Sequence, residues 1–181
     1  MQIRGAGLRS LLLAIEKLYG PEKLTAVKGA MPSHLRAQTE RVLPVQWYDI
    51  EVNASLHAAV RDVLGGGKWD ESHRIGIEAA RVDFSGVYRV VARTMSYETV
   101  WNQAQRMWRH YNSQGSAEWT ERREGYALGL IRGVAGYNLG LWLSVAGRME
   151  AMLGLTGIKT ADVTVKEASS TYGKIEAMWI K

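Results

Sequence analysis

The chain has 181 residues, 46% of them hydrophobic and 23% charged, with a formal net charge of +5 and no cysteine. That length and balance predict one folded domain with a sizeable core, not a disordered chain. The missing cysteines exclude disulfides, thiolate catalysis and cysteine-held zinc or iron–sulfur centres and fit a cytoplasmic protein; no apolar run approaches the roughly 20 residues of a membrane helix, and the scattered Lys and Arg lack the density of a phosphate-neutralising stripe, which argues against nucleic acid.

The N-terminal MQIRGAGLRSLLLAIEKLYG starts basic and turns apolar, but Glu16 and Lys17 interrupt it. It reads as an amphipathic first helix, Leu8 to Tyr19, closed by Gly20 and Pro21, and not as a leader. Its run Leu11 to Leu13 asks for a partner or a groove, which points to a homodimer. A second helix runs from Glu22 to Met31 before Pro32, a third starts at Ser33, and a longer one runs from Gln46 toward Leu64 with Trp47, Ile50, Ala54, His57 and Val60 on one face. Gly65-Gly66-Gly67 ends it. With Trp69 where a magnesium-binding Ser or Thr belongs, and a helix instead of a strand before it, this triplet and Lys68 are not a phosphate loop. A helix from Asp70 to Arg81 follows; its Asp70, Glu71, His73 and Glu78 read as a solvated, dipole-compatible start and not as a metal site. A short helix from Ser85 to Arg93 leads into the next segment.

Ser96 to Gly115, SYETVWNQAQRMWRHYNSQG, is the spine on which both halves pack. Ser96 is a suitable N-cap, Glu98 lies in the first turn, and Tyr97, Val100, Trp101, Ala104, Met107, Trp108 and Tyr111 recur at helical spacing on one apolar face. After Gly115 the period becomes two. Ala117, Trp119 and Glu121, then Tyr126, Leu128 and Leu130, read as an antiparallel pair turning near Arg123 to Gly125. Asn138 caps a helix from Leu139 to Leu153, and strands from Lys159 to Glu167 and Lys174 to Ile180 close the chain around a turn at Ser169 to Gly173. The fold class expected is α+β: a mainly helical part (1–112) packed on a small antiparallel sheet of about four strands (113–181), with one helix inserted between its strand pairs, all in a single domain.

Three phrases carry a family resemblance: GVYRVVARTMSYETVWNQAQRMWRHYNSQG (Gly86 to Gly115), EGYALGLIRG (Glu124 to Gly133) and GRMEAMLGLTGIKTADVTV (Gly147 to Val165), with EAMWI near the end. They resemble the superfamily of 4-vinyl reductase (V4R) domains, haem nitric-oxide-binding domains and Bet3-type trafficking subunits, and above all its paralogues in myxobacteria and neighbouring deltaproteobacteria. Trp108, Arg109 and Tyr111 match one signature phrase and Leu155, Thr156 and Gly157 another. The resemblance covers about the last hundred residues and implies a cavity between helices and sheet for an apolar molecule: an aromatic effector, a tetrapyrrole or an acyl chain.

Departures from the family shape the expectation. Tyr126-Ala127-Leu128 lacks the serine and arginine of the haem-propionate signature, and His110 is out of phase with the Trp101 and Trp108 stripe, so the reading is no cofactor, with haem set aside. Ser169, Ser170 and Gly173 stand where V4R regulators carry cysteine ligands, so no metal is expected. The candidate ligand-binding residues are Trp101, Trp108, Tyr111, Trp119, Tyr126, Trp142 and Met149. No nucleophile elbow, histidine-rich metal motif or paired buried carboxylate is present, and Glu118, Glu121 and Glu124 read as solvated. The function expected is a non-catalytic, homodimeric sensory or carrier domain for a small apolar ligand. The alternative is an interaction scaffold with a self-filled core.

Overall fold

The computed structural model describes residues 1–84 and 96–180. The chain opens on a strand, β1 (Gln2–Arg4), and runs straight into α1 (Gly5–Tyr19). This helix begins three residues before the apolar periodicity because its free first-turn amides find acceptors in a neighbouring loop. Gly5 N–H donates to Gln46 O at 2.7 Å and Ala6 N–H to Pro44 O at 2.9 Å. Short helices α2 (Pro21–Gly29) and α3 (Ser33–Arg36) follow, the latter running into a 3-10 turn at Ala37–Thr39.

The expected helix from Gln46 starts later. Residues Trp47–Asp49 form β2, paired antiparallel to β1 with Ile3 opposite Tyr48. Tertiary pairing thus overrides the helical spacing of Trp47, and Asp49 is the better cap: its Oδ1 accepts from Glu51 N–H at 2.9 Å to open α4 (Ile50–Val63). The apolar run of α1 finds its groove within the chain, since Leu11 and Leu12 are buried and Leu13 alone is 40% exposed. That removes the sequence argument for a dimer.

Helix α5 (Asp70–Asp83) comes next; the short helix expected from Ser85 to Arg93 lies outside the described residues. The spine is two helices, α6 (Tyr97–Asn102) and α7 (Ala104–Tyr111), that meet at Gln103. Ser96 caps it as expected, its Oγ accepting from Thr99 N–H at 3.3 Å. Trp101 and Trp108 are buried, so the stripe survives the break.

The sheet is β3 (Ser116–Arg123), β4 (Tyr126–Arg132), β5 (Thr160–Ala168) and β6 (Tyr172–Ile180), in the order β3-β4-β6-β5 with every neighbour antiparallel. Between the pairs runs α8 (Leu139–Leu155), opened by Asn138, whose Oδ1 accepts from Leu141 N–H at 3.0 Å. The architecture is α+β.

Helix α8 joins the two halves. On one side it meets α5 backbone to backbone: a Cβ built on Gly76 would lie 2.3 Å from Ser144 O, and one on Gly147 2.2 Å from His73 O. On the other side Trp142, fully buried, presses its ring against Gly173 of β6 and donates from Nε1 to Ser169 O at 2.7 Å. No helix among the described residues is long and apolar enough to cross a membrane.

Candidate functional site

Between α1, α5, α7, α8 and the sheet lies a cavity of about 180 Å³. Each wall follows from a sequence pattern. The stripe of α8 contributes Leu141, Ser144, Val145, Arg148, Met149 and Met152, and the spine contributes Trp101, Ala104, Met107, Trp108 and Tyr111. Ala117, Trp119, Gly129, Ile131 and Ile175 supply the sheet side; Ile3, Gly7, Leu11, Asn53, Ala80 and Asp83 supply the helical side.

The tryptophans at the sheet end lock one another. Trp119 donates from Nε1 to Trp101 O at 3.1 Å, and the two rings meet edge to face with centroids 4.0 Å apart. Gly129 makes room: a Cβ there would sit 2.9 Å from the Trp119 ring. Trp108 donates to Gln114 O at 2.8 Å. Two buried polar atoms of wall residues, Trp101 Nε1 and Asn53 Oδ1, have no hydrogen-bond partner.

The helical end carries the charge. Arg148 donates from Nη1 to Asp83 Oδ2 at 2.5 Å and from Nη2 to Ser10 Oγ at 2.8 Å and Gly7 O at 3.2 Å. Ser10 Oγ also donates to Asp83 Oδ2 at 3.2 Å. Tyr111 stands beside the group; burial, and then the Asp83 charge, push its phenol up to about 12. Three helices, α1, α5 and α8, are therefore tied at one wall, with Tyr111 of α7 against it. Nearby, Tyr137 donates to Asn112 Oδ1 at 3.1 Å, and burial holds its phenol well above the ordinary range.

Of the seven residues singled out in the sequence, Trp101, Trp108, Tyr111, Trp119 and Met149 share this wall. Tyr126 and Trp142 do not. Tyr126 lies on a separate surface groove beside Arg123, Met178 and Trp179, with its hydroxyl 3.3 Å from Glu176. Trp142 is spent on packing α8 against the sheet. Sequence reasoning missed the Asp83–Arg148–Ser10 cluster because its members lie far apart in the chain; a lone arginine inside the apolar stripe of α8 was the available signal.

None of the four histidines lines the cavity. His57 is buried in α4 with Nδ1 3.0 Å from Ser72 Oγ, and burial, then the Arg148 charge, lower its pKa to about 3. His73 lies 3.4 Å from Glu150, while His34 and His110 are exposed. Two of the acids grouped with His73 in the sequence are engaged in ion pairs or hydrogen bonds: Glu78 with Lys17 at 2.5 Å and Arg81 at 3.3 Å, and Glu71 with Arg74 and Tyr19.

No family model and no curated protein matches this chain. Solved structures do. The Fe(II) unliganded H-NOX protein of K. algicida superposes with a TM-score of 0.71 at 9% identity, covering 98% of this chain and 97% of that one. An oxygen-binding H-NOX domain related to soluble guanylate cyclases gives 0.68 at 10% identity, covering 98% and 95%. A protein studied for haem redox potential and porphyrin distortion gives 0.68 at 11%, covering 97% and 99%. The fold is therefore that of haem nitric-oxide-binding domains, and the likeness extends along nearly the whole chain. The expectation of no cofactor does not stand: it set haem aside for want of the propionate signature and because His110 is out of phase with the tryptophan stripe, yet the fold is one in which haem proteins have been solved.

Proposed function

We propose that this chain is a non-catalytic sensory domain that binds a planar, apolar ligand between its helices and its sheet, with haem as the ligand the fold likeness favours. The cavity carries this reading: its wall is aromatic and aliphatic, with polar groups confined to a few positions, as ligand sites are built. Its residues suit haem in their chemistry. Iron is held in proteins by His, Met, Cys or Tyr; the wall offers the Tyr111 phenol and the thioethers of Met107, Met149 and Met152. Bound haem supplies an iron at which a diatomic gas coordinates.

The chain's own part is to shelter and to respond. Trp101, Trp108 and Trp119 line the cavity, and their rings would shelter a bound ligand from water. The cavity of about 180 Å³ exceeds the roughly 150 Å³ that holds one benzene ring, whereas drug-sized guests occupy roughly 300–1,000 Å³. As it stands the cavity suits a ring-sized apolar guest, and a tetrapyrrole would need more room than the structure shows.

Native mass spectrometry of purified protein, with an organic-solvent extract and an absorption spectrum of the same sample, tests this. Extra mass that is lost on denaturation, recovered in the extract and accompanied by a Soret band supports haem. Extra mass without that band identifies another apolar ligand; neither added mass nor uptake of haemin, fatty acids or aromatics would refute the reading.

A further inference from the structure

We infer that the cavity, in the form the structure shows, takes an uncharged single-ring aromatic molecule carrying one small hydrogen-bond acceptor, such as an aromatic aldehyde, and that the indole N–H of Trp101 reads the acceptor. The inference rests on the reading of this cavity as a ligand site. It adds the chemical class of the guest and the atom that selects it.

Size sets the ring count. Of the 180 Å³ or so in the cavity, one benzene ring takes roughly 150 Å³, and the remainder of about 30 Å³ is roughly the liquid share of one water molecule. A ring with a substituent of one or two heavy atoms fills that space. Charge sets the next condition. The charged side chains of the wall are Arg4, Asp83, Glu118 and Arg148, and each has a partner: Arg148 and Asp83 hold each other, Arg4 donates to Val45 O at 2.9 Å, and Glu118 pairs with Arg132 at 2.9 Å. A charged guest would lose its hydration and gain no counter-ion.

The indoles set the polarity. Trp108 and Trp119 of the wall donate to the carbonyls of Gln114 and Trp101. Trp101 Nε1, on a residue only 5% exposed, has no acceptor among the described residues. The ring that carries it is held by Trp119 at 4.0 Å and by Trp179 at 5.6 Å, centroid to centroid, so the N–H is fixed before a guest arrives. A buried donor without an acceptor is costly and uncommon, and a carbonyl oxygen on the guest would satisfy it without bringing charge. The other unpartnered polar atom of the wall, Asn53 Oδ1, is itself an acceptor and gives a carbonyl no hold.

The test is a calorimetric titration of the full chain with benzaldehyde, its near-isostere styrene, the anion benzoate, and haemin, in the unaltered protein and in Trp101→Phe, with the indole N–H resonances followed by heteronuclear NMR. Trp101→Phe keeps an aromatic ring and removes the donor. A thermal melt checks that it folds, and nuclear Overhauser contacts with the Trp119 ring assign the Trp101 resonance independently of the variant. The expected result is one-to-one binding of benzaldehyde with a Kd of about 1 mM or below, no binding of benzoate, and a downfield shift of the Trp101 N–H larger than styrene causes. In Trp101→Phe benzaldehyde should lose about tenfold in affinity and styrene none. Benzaldehyde binding that leaves the Trp101 resonance unmoved, or that is unchanged in Trp101→Phe, would overturn the inference and leave the cavity a ring site, as would benzoate binding of equal strength. Haemin taken up by a protein that refuses every one-ring probe would overturn the inference and leave the haem reading standing. Refusal of haemin and of every probe would overturn both.

Discussion

Two glycines of one helix make opposite predictions. At Gly147 a methyl group would meet the carbonyl oxygen of His73 at 2.2 Å. An ordinary contact is about 3.5–4.0 Å, so α5 and α8 would have to separate by more than about 1 Å, and a backbone atom cannot swing aside. Overpacking costs roughly 1–3 kcal/mol, and a backbone clash belongs at the upper end. Alanine recovers about 0.8–1.0 kcal/mol of helix propensity. Gly147→Ala should therefore lose about 2 kcal/mol, a fall in Tm of about 4–8 °C for a chain of this size. Gly154 lies in the last turn of the same helix with nothing within 4 Å of its would-be Cβ, so Gly154→Ala should gain about 0.5–1 kcal/mol. Urea denaturation and thermal melts of the two variants give the comparison. Equal stability of Gly147→Ala and Gly154→Ala would refute the close α5–α8 approach.

His57 makes stability depend on pH. Its pKa lies near 3 in the folded chain against about 6.5 unfolded, so between those values the unfolded chain binds more protons. Stability is then full above about pH 6.5 and falls toward pH 3 by up to about 1.4 kcal/mol per unit; urea midpoints across that range should show the slope, and His57→Gln should flatten it. Glu78 acts in the same direction, since hydrogen bonds from Lys17 and Arg81 outweigh its burial and hold its carboxyl below the ordinary value. Asn138→Ala removes the cap of α8 and the bond from Nδ2 to Ala54 O at 2.8 Å, and should cost about 1–2 kcal/mol in the same assay. Trp142→Ala empties the packing between α8 and β6 and should cost about 3–5 kcal/mol.

The parts of this fold written in local pattern were legible in the sequence. The period change after Gly115 marked the sheet, Asn138 marked the start of α8, and the spacing of Trp101 and Trp108 marked a buried face that faces the cavity. What needed the fold were pairings between distant segments. Nothing near Trp47 announces a strand, because its partner is Gln2–Arg4. The helical spacing of the spine gives no sign of the break at Gln103. Tyr126 and Trp142 share the composition of the cavity residues but face elsewhere, and aromatic content alone does not say toward which surface a ring is turned. The polar wall combines α1, α5, α7 and α8, so no single stretch of sequence displays it.

The central claim, that the cavity between helices and sheet receives a planar apolar ligand, is tested most directly by tryptophan fluorescence during a haemin titration of the unaltered protein and of Ala104→Leu. Ala104 lines the cavity among Trp101, Trp108 and Trp119, and leucine there fills space without adding a donor. The account predicts saturable one-to-one quenching in the unaltered protein and a binding curve weakened by at least about tenfold in a folded Ala104→Leu. Identical quenching curves for the two proteins would place the haemin outside the cavity and contradict the claim.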